Sequence, residues 1–169
     1  MKKIAVLLED LVEEVEFIYP YYRLKEEGFE VEILAPQIRT YQGKKGMPIV
    51  ANKKLDIDYV GEYDGVFIPG GYAPDKLRRD NDVILFIQTL YNQGKLVAAI
   101  CHAPWVLITA KIIDGKKVTG FYSIKDDIQN AGAIYTGNAV EVDGNLITAT
   151  DPSAMPDMMK QVIKFLKEN

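Results

Sequence analysis

Only one cysteine and one histidine occur among the 169 residues of this chain. A lone cysteine excludes an internal disulfide, a Cys-x-x-Cys redox pair and a thiolate-rich zinc centre, and a free thiol fits a reducing compartment. With one imidazole and scattered acids, no spacing argues for a metal site. An excess of positive charge is also missing: the net charge is -4 and the lysines are scattered, which speaks against a nucleic-acid groove. No apolar run reaches the roughly 18 residues of a membrane span. The segment Met1 to Leu8 is positively charged and then apolar, but Glu9 and Asp10 follow at once and no small-residue cleavage site is present. It therefore reads as a first strand and not as a signal peptide. Neither a G-x-G-x-x-G nor a G-x-x-x-x-G-K-[ST] loop occurs, and no linker, repeat or low-complexity segment breaks the chain. What remains is ordinary globular composition, 48% hydrophobic and 26% charged. These absences predict a cytoplasmic, soluble protein with one domain spanning residues 1–169, no cofactor, no metal, no membrane partner and no nucleic acid partner.

Taken in order, Ile4 to Leu8 is a continuous apolar run, the pattern of a strand buried on both faces of a parallel sheet. An acidic connection, Glu9 to Glu16, leads into a helix expected from Glu13 to Glu27, with Val15, Ile18, Tyr19, Tyr22 and Leu24 as its packing face, a kink at Pro20 and Gly28 as its stop. Phe29 to Leu34 is the second strand. Residues 37–60 read as a small ribbon outside the main sheet. Val66 to Ile68 is a third core strand, followed by Pro69-Gly70-Gly71. A helix over Asn81 to Asn92 precedes the apolar strand Leu96 to Ile100. A short strand at Lys117 to Thr119, a short helix from Lys125 to Asn130, a hairpin around Asp143-Gly144-Asn145 and a last helix from Ser153 to Lys167, with Ser153 as N-cap, complete the chain. Alternating strands and helices joined by short turns predict an α/β fold: a doubly wound, mostly parallel, flavodoxin-like sheet with a small β ribbon.

The single cysteine and single histidine stand side by side where the strand Leu96 to Ile100 ends, and Pro104 suits the first turn of a following helix. Strand, sharp turn and helix are the setting of a nucleophile elbow. The helix N-terminus is expected to lower the Cys101 pKa. In open α/β sheets, sites form beyond the carboxyl ends of the strands. Four connections meet there: Glu9 to Glu16, Pro69 to Asp75, Cys101 to Trp105, and Thr150 to Pro152. Pro69-Gly70-Gly71 either is a plain turn or turns backbone N–H groups toward an oxyanion. Glu13 and Glu16, three positions apart, are either solvated acids or face the cysteine; in the second case burial raises the Glu16 pKa and a protonated carboxyl donates to a thiolate. Asp75 is either a helix cap or the acid that orients His102. Neighbours such as Cys101 and His102 normally diverge, so their cooperation requires a strained turn.

Five stretches together carry a resemblance over nearly the whole chain: Glu13-Glu14-Val15-Glu16-Phe17-Ile18-Tyr19-Pro20, Arg23 to Gly28, Pro69 to Asp75, Ala99-Ile100-Cys101-His102-Ala103-Pro104, and Ile124 to Asp127. In this order they resemble the DJ-1/PfpI family, in its PfpI-like branch. The resemblance implies a fold like that of class I glutamine amidotransferases, with Cys101 as nucleophile. It also implies that Glu16 hydrogen-bonds the cysteine, that Glu13 is a second pocket acid and that His102 is a base. Asp75 would complete the histidine's site across a subunit contact, and the Gly71 and His102 N–H groups would form an oxyanion hole. Family members of this branch form dimers that assemble further, up to hexamers. Three departures stand out: Asp75 has a shorter reach than the glutamate usual there, Phe121 stands near a tyrosine of archaeal members, and Thr150-Asp151-Pro152 differs in detail from the usual closing loop. The expected function is that of a cysteine-dependent, stress-protective hydrolase or lyase acting on reactive dicarbonyls such as methylglyoxal, or on their protein adducts. The alternatives are an intracellular cysteine peptidase acting on peptide or protein substrates and a non-enzymatic redox-sensing chaperone.

Overall fold

The computed structural model describes residues 1–169. In chain order the elements are β1 (Lys3–Leu7), α1 (Glu14–Glu26), β2 (Glu30–Ala35), β3 (Thr40–Gln42), β4 (Pro48–Val50), β5 (Lys53–Lys54), β6 (Gly65–Ile68), α2 (Ala73–Leu77), α3 (Asn81–Asn92), β7 (Leu96–Ile100), α4 (Pro104–Thr109), β8 (Lys117–Val118), α5 (Lys125–Asn130), β9 (Ile134–Tyr135), β10 (Val140–Asp143), β11 (Leu146–Ala149) and α6 (Met155–Glu168). Short 3₁₀ turns occupy Ile57–Glu62, Tyr122–Ile124 and Pro152–Ala154. Seven strands form the central sheet in the order β10-β11-β7-β6-β1-β2-β5. All neighbours run parallel except the β10–β11 hairpin. The strand order reverses between β1 and β6, so the crevice at their carboxyl ends is the switch point where such sheets place ligands. No helix is long and apolar enough to cross a membrane.

The core strands are apolar throughout because both faces are covered. Alternate residues of β1 serve opposite layers: Ala5 and Leu7 pack with α3, α4 and α5, whereas Ile4 and Val6 pack with α1 and α6. The same division runs along β7, with Val97 and Ala99 on one side and Leu96, Ala98 and Ile100 on the other. Val83, Phe86, Ile87 and Leu90 form the buried stripe of α3, and burying each side chain of this size contributes about 1.5–3 kcal/mol. Asp80 caps α3 by accepting from the Asp82 and Val83 N–H groups.

Several expectations need correction. The α1 face turned to the sheet is Glu16, Phe17, Pro20 and Leu24, with Pro20 inside the helix. Val15 and Tyr22 are exposed, and Ile18 and Tyr19 only partly covered. Reading α1 by hydropathy misplaced its inner stripe, because the stripe begins with a glutamate. Ser153 does not cap α6: it lies in the preceding 3₁₀ turn, where the Asp151 side chain accepts from its N–H. The ribbon is present as β3 and β4. Beyond it, β5 adds a seventh strand at the sheet edge and β8 pairs with β9 in a separate two-stranded sheet. The strand expected at Lys117 to Thr119 is β8, whereas β5 and β9, two residues each, carry no period for a sequence to display.

Candidate active site

Four connections at the carboxyl ends of the strands build the site; one of them, after β11, adds Pro152 to its wall. The first leaves β1 and reaches the start of α1, the second is Pro69-Gly70-Gly71 after β6, and the third is the turn after β7. At that turn Cys101 adopts φ 62°, a left-handed conformation that few non-glycine residues take. Its backbone is held on both sides: its N–H donates to Ala149 O at 3.0 Å, and its carbonyl accepts from Phe121 N–H at 2.9 Å. The bend brings the neighbouring side chains together, so that Cys101 Sγ lies 3.3 Å from His102 Nδ1. The divergence normal for adjacent residues is thereby overcome.

Pro69-Gly70-Gly71 is more than a turn. A Cβ on Gly70 would lie 2.5 Å from Glu16 Oε1 and 2.8 Å from Cys101 Cβ, so only glycine lets carboxyl and cysteine approach here. Gly71 has φ 79°, and a Cβ on it would meet Glu13 N at 2.4 Å. Glu16 is wholly buried, and its Oε1 accepts from the Gly70 N–H at 2.9 Å while Oε2 has no hydrogen-bond partner. Burial, assisted by the charge of Glu13 and opposed by the Gly70 N–H, pushes the Glu16 pKa up to about 7.

The thiol behaves differently from the sequence expectation. Burial first, then the negative charge of Glu16, push Cys101 up to about 12, although the His102 and Gly71 N–H groups point at the sulfur and Lys44 lies nearby. The local amides do favour thiolate, but desolvation and a buried acid outweigh them. The two groups compete for one negative charge: when Glu16 takes up a proton, the repulsion that suppresses the thiolate disappears. His102 is pushed below its ordinary value, chiefly by burial and next by the Lys44 charge, against the pull of Asp127. Its imidazole is therefore neutral at pH 7. The ring stacks on Phe121 with centroids 5.1 Å apart, meets Trp105 edge-on, and brings Nε2 to 3.3 Å from Ser123 Oγ.

Glu13, Glu16, Gly71, Cys101 and His102 all line one cavity of about 380 Å³. Asp75 does not reach it within the chain. That residue sits inside α2, is half-exposed, pairs with Arg79, and borders a separate depression with Arg78 and Trp105. Sequence reasoning missed Lys44, Tyr72 and Ser123, which line the same cavity together with Phe121 and Pro152. Tyr72 directly follows the Pro-Gly-Gly turn and was within reach of that signal. Lys44 carried none, since it arrives only because the ribbon folds back onto α1. No three His, Cys, Asp or Glu side chains converge closely enough to hold a metal ion.

Known proteins share this arrangement of chain. The model of the DJ-1/PfpI family matches residues 2–165. The chain is 37% identical over 165 residues to the deglycase PfpI of Pyrococcus furiosus, covering 98% of this chain and 99% of that one. To protein/nucleic acid deglycase 2 of Escherichia coli it is 38% identical over 168 residues, covering 98% of each. Among solved structures, a two-domain protein from Anabaena variabilis, with DJ-1/ThiJ/PfpI-like and ferritin-like domains, superposes with a TM-score of 0.96 at 43% identity. The match covers 99% of this chain and 48% of that protein, so the chain spans about half of its length.

Proposed function

The chain belongs to the DJ-1/PfpI family, and from that premise we propose that it is a cysteine-dependent enzyme acting on reactive dicarbonyls such as methylglyoxal, or on their protein adducts, in the manner of a deglycase or glyoxalase III. The observation that carries this reading is the company kept by one sulfur: an imidazole at 3.3 Å, a buried carboxyl and two backbone N–H groups, inside a cavity of about 380 Å³. A cavity of that size suits a small aldehyde or a single modified side chain.

Cys101 Sγ bonds to the aldehyde carbon, and its proton ends on the former carbonyl oxygen, giving a hemithioacetal. The Gly71 and His102 N–H groups stabilise the negative charge that develops on that oxygen. A base, neutral His102 or Glu16, moves the proton from the first carbon to the neighbouring one, which turns the hemithioacetal into a lactoyl thioester. Water then breaks the C–S bond, releasing lactate and restoring the thiol. The sequence is an isomerisation followed by hydrolysis, so its electrons balance without an oxidant. In a protein adduct, the bond to the protein's amine or thiol also breaks, and that group leaves with a proton.

The peptidase reading is less well supported. An amine leaving group needs a proton from a well-oriented histidine, yet His102 Nε2 meets the Ser123 hydroxyl and no carboxyl. Peptide cleavage would depend on Asp75 of a second copy of the chain. Self-association itself is part of the proposal, because α1 presents Val15 and Tyr22, 43% and 59% exposed, beside Ile18 and Tyr19 on its outer face. The working compartment we assign is the cytoplasm, where a free thiol stays reduced.

Lactate formation from methylglyoxal, measured beside casein cleavage, tests the reading. Cys101→Ala is expected to lose about a thousandfold or more in lactate formation. Equal rates in the variant and the wild type would remove every mechanism that uses the sulfur.

A further inference from the structure

Three glutamates open α1, and two of them face the cavity. Glu14 does not line it, yet it is only 8% exposed. Its Oε1 accepts from the backbone N–H of Lys45 at 2.6 Å, and its Oε2 has no partner. Burying a carboxyl with half of its acceptor capacity unused is costly. Oε1 also lies against Gly43, where a Cβ would approach to 2.4 Å. Glu14 thus grips the turn that joins β3 to β4. Two backbone bonds fasten the same ribbon to the segment before α1: Lys44 N–H donates to Val12 O at 2.8 Å, and Leu11 N–H donates to Gln42 O at 2.7 Å. Lys44, between the gripped residues, sends its side chain into the cavity. Its Nζ lies 3.0 Å from Glu13 Oε2 and 5.6 Å from the centre of the Tyr72 ring.

We propose that Glu14 is a positioning residue of this site: its side chain pins the ribbon turn to α1, and so fixes Lys44 as the cation that balances the acids around Cys101 and His102. The proposal rests on reading this cavity as the active site. It divides the work of the acidic run among its members. Glu16 faces the thiol, Glu13 takes the lysine, and Glu14 holds the backbone that delivers the lysine. The charged and titratable groups around His102 are Lys44 from the ribbon, Asp127 from α5, Cys101 on its own turn, Tyr72 after the Pro-Gly-Gly turn, Glu13 just before α1 and Glu16 in it. Lys44 is the permanent cation among them. If the turn swings away, His102 loses that cation and becomes easier to protonate, although nothing at the histidine itself has changed.

Because His102 is the only histidine, its ring protons titrate alone in an NMR spectrum. Lys44→Met is expected to raise the His102 midpoint by about 0.3–0.5 pH unit, the effect of one charge across a partly solvated cavity. Glu14→Ala is expected to raise it comparably, and the double variant no further. Glu14→Gln keeps a carbonyl oxygen for the Lys45 N–H and should titrate like the wild type. Gly43→Ala, whose methyl group would collide with the Glu14 carboxyl and force it and the turn apart, should reproduce the shift, and it serves if Glu14→Ala does not fold. The proposal is overturned if Lys44→Met leaves the midpoint unmoved. It is equally overturned if Gly43→Ala and any folded Glu14→Ala titrate like the wild type, or if Glu14→Gln shifts as far as the disrupted variants. The titration involves no turnover, so its failure leaves the dicarbonyl reading standing, and failure of the lactate assay leaves the titration interpretable.

Discussion

The two ends of the sheet each hold a cluster of charges, and the clusters behave in opposite ways. At the amino end, Lys3 Nζ lies 3.4 Å from Glu30, 3.1 Å from Glu32 and 3.2 Å from Glu62, and Lys53 adds a second cation 3.1 Å from Glu32. Burial pulls Glu32 upward, but hydrogen bonds from Tyr63, Lys3 and Lys53 outweigh it and the carboxyl titrates below its ordinary value. At the carboxyl end, Glu16 is buried beside a thiol, its charge is met by one backbone N–H, and its pKa rises to about 7. The same residue type is thus an ionised anchor at one end of the sheet and, on α1 at the other end, an acid that keeps its proton up to about pH 7. Cations within contact distance make the difference: Glu32 has two, and Lys44 is spent on Glu13.

The largest break in that comparison is expected from Glu16→Gln. Between about pH 4.5 and 7 the folded protein keeps a proton on Glu16 that the unfolded chain has released. The stability this proton confers is complete below pH 4.5 and is lost as the pH rises through 7, a change of about 3 kcal/mol. Urea unfolding across this range should show the loss in the wild type and a flatter profile in the variant. Lactate formation should fall about a hundredfold as well. Parallel profiles would mean that Glu16 is no proton carrier.

Lys3→Met probes the other end. Glu32, with its lowered pKa, contributes stability that is present above the ordinary glutamate range and fades as pH falls through its folded value, the reverse of Glu16. Removing Lys3 should cost about 1–2 kcal/mol at low salt, less in concentrated salt, with lactate formation unchanged. An activity loss would show that the two ends are coupled. Ser123→Ala is the mildest test. It deletes the hydroxyl near His102 Nε2 while leaving the Phe121 stack, and about a threefold fall in lactate formation is expected. A larger fall would give the hydroxyl a part in proton transfer.

Much of this molecule was legible in its sequence because local patterns carry it. Asn81 to Asn92 reads as a helix with the bounds observed for α3, and the strand ending at Cys101 before Pro104 reads as an elbow. Glu13, Glu16 and Gly71, which the residue pattern leaves open and the family resemblance assigns to that elbow, line its cavity. Where patterns depend on what a residue later touches, reading by pattern failed. The inner stripe of α1 was misassigned because hydropathy sends Glu16 to solvent, whereas Gly70 leaves it room and a hydrogen bond inside. Asp75, which the residue pattern leaves open between a helix cap and a partner of His102, pairs within its own chain with Arg79 one turn along.

Strand periods, turn glycines and a single thiol set before a helix-starting proline were enough to define the core of the sheet and to mark the cavity at Cys101 as the candidate site. Which group there holds the proton was decided only by folding. Desolvation and Coulomb attraction depend on neighbours in space, and here those neighbours, Glu16, Lys44 and Gly70, come from segments far from Cys101 along the chain.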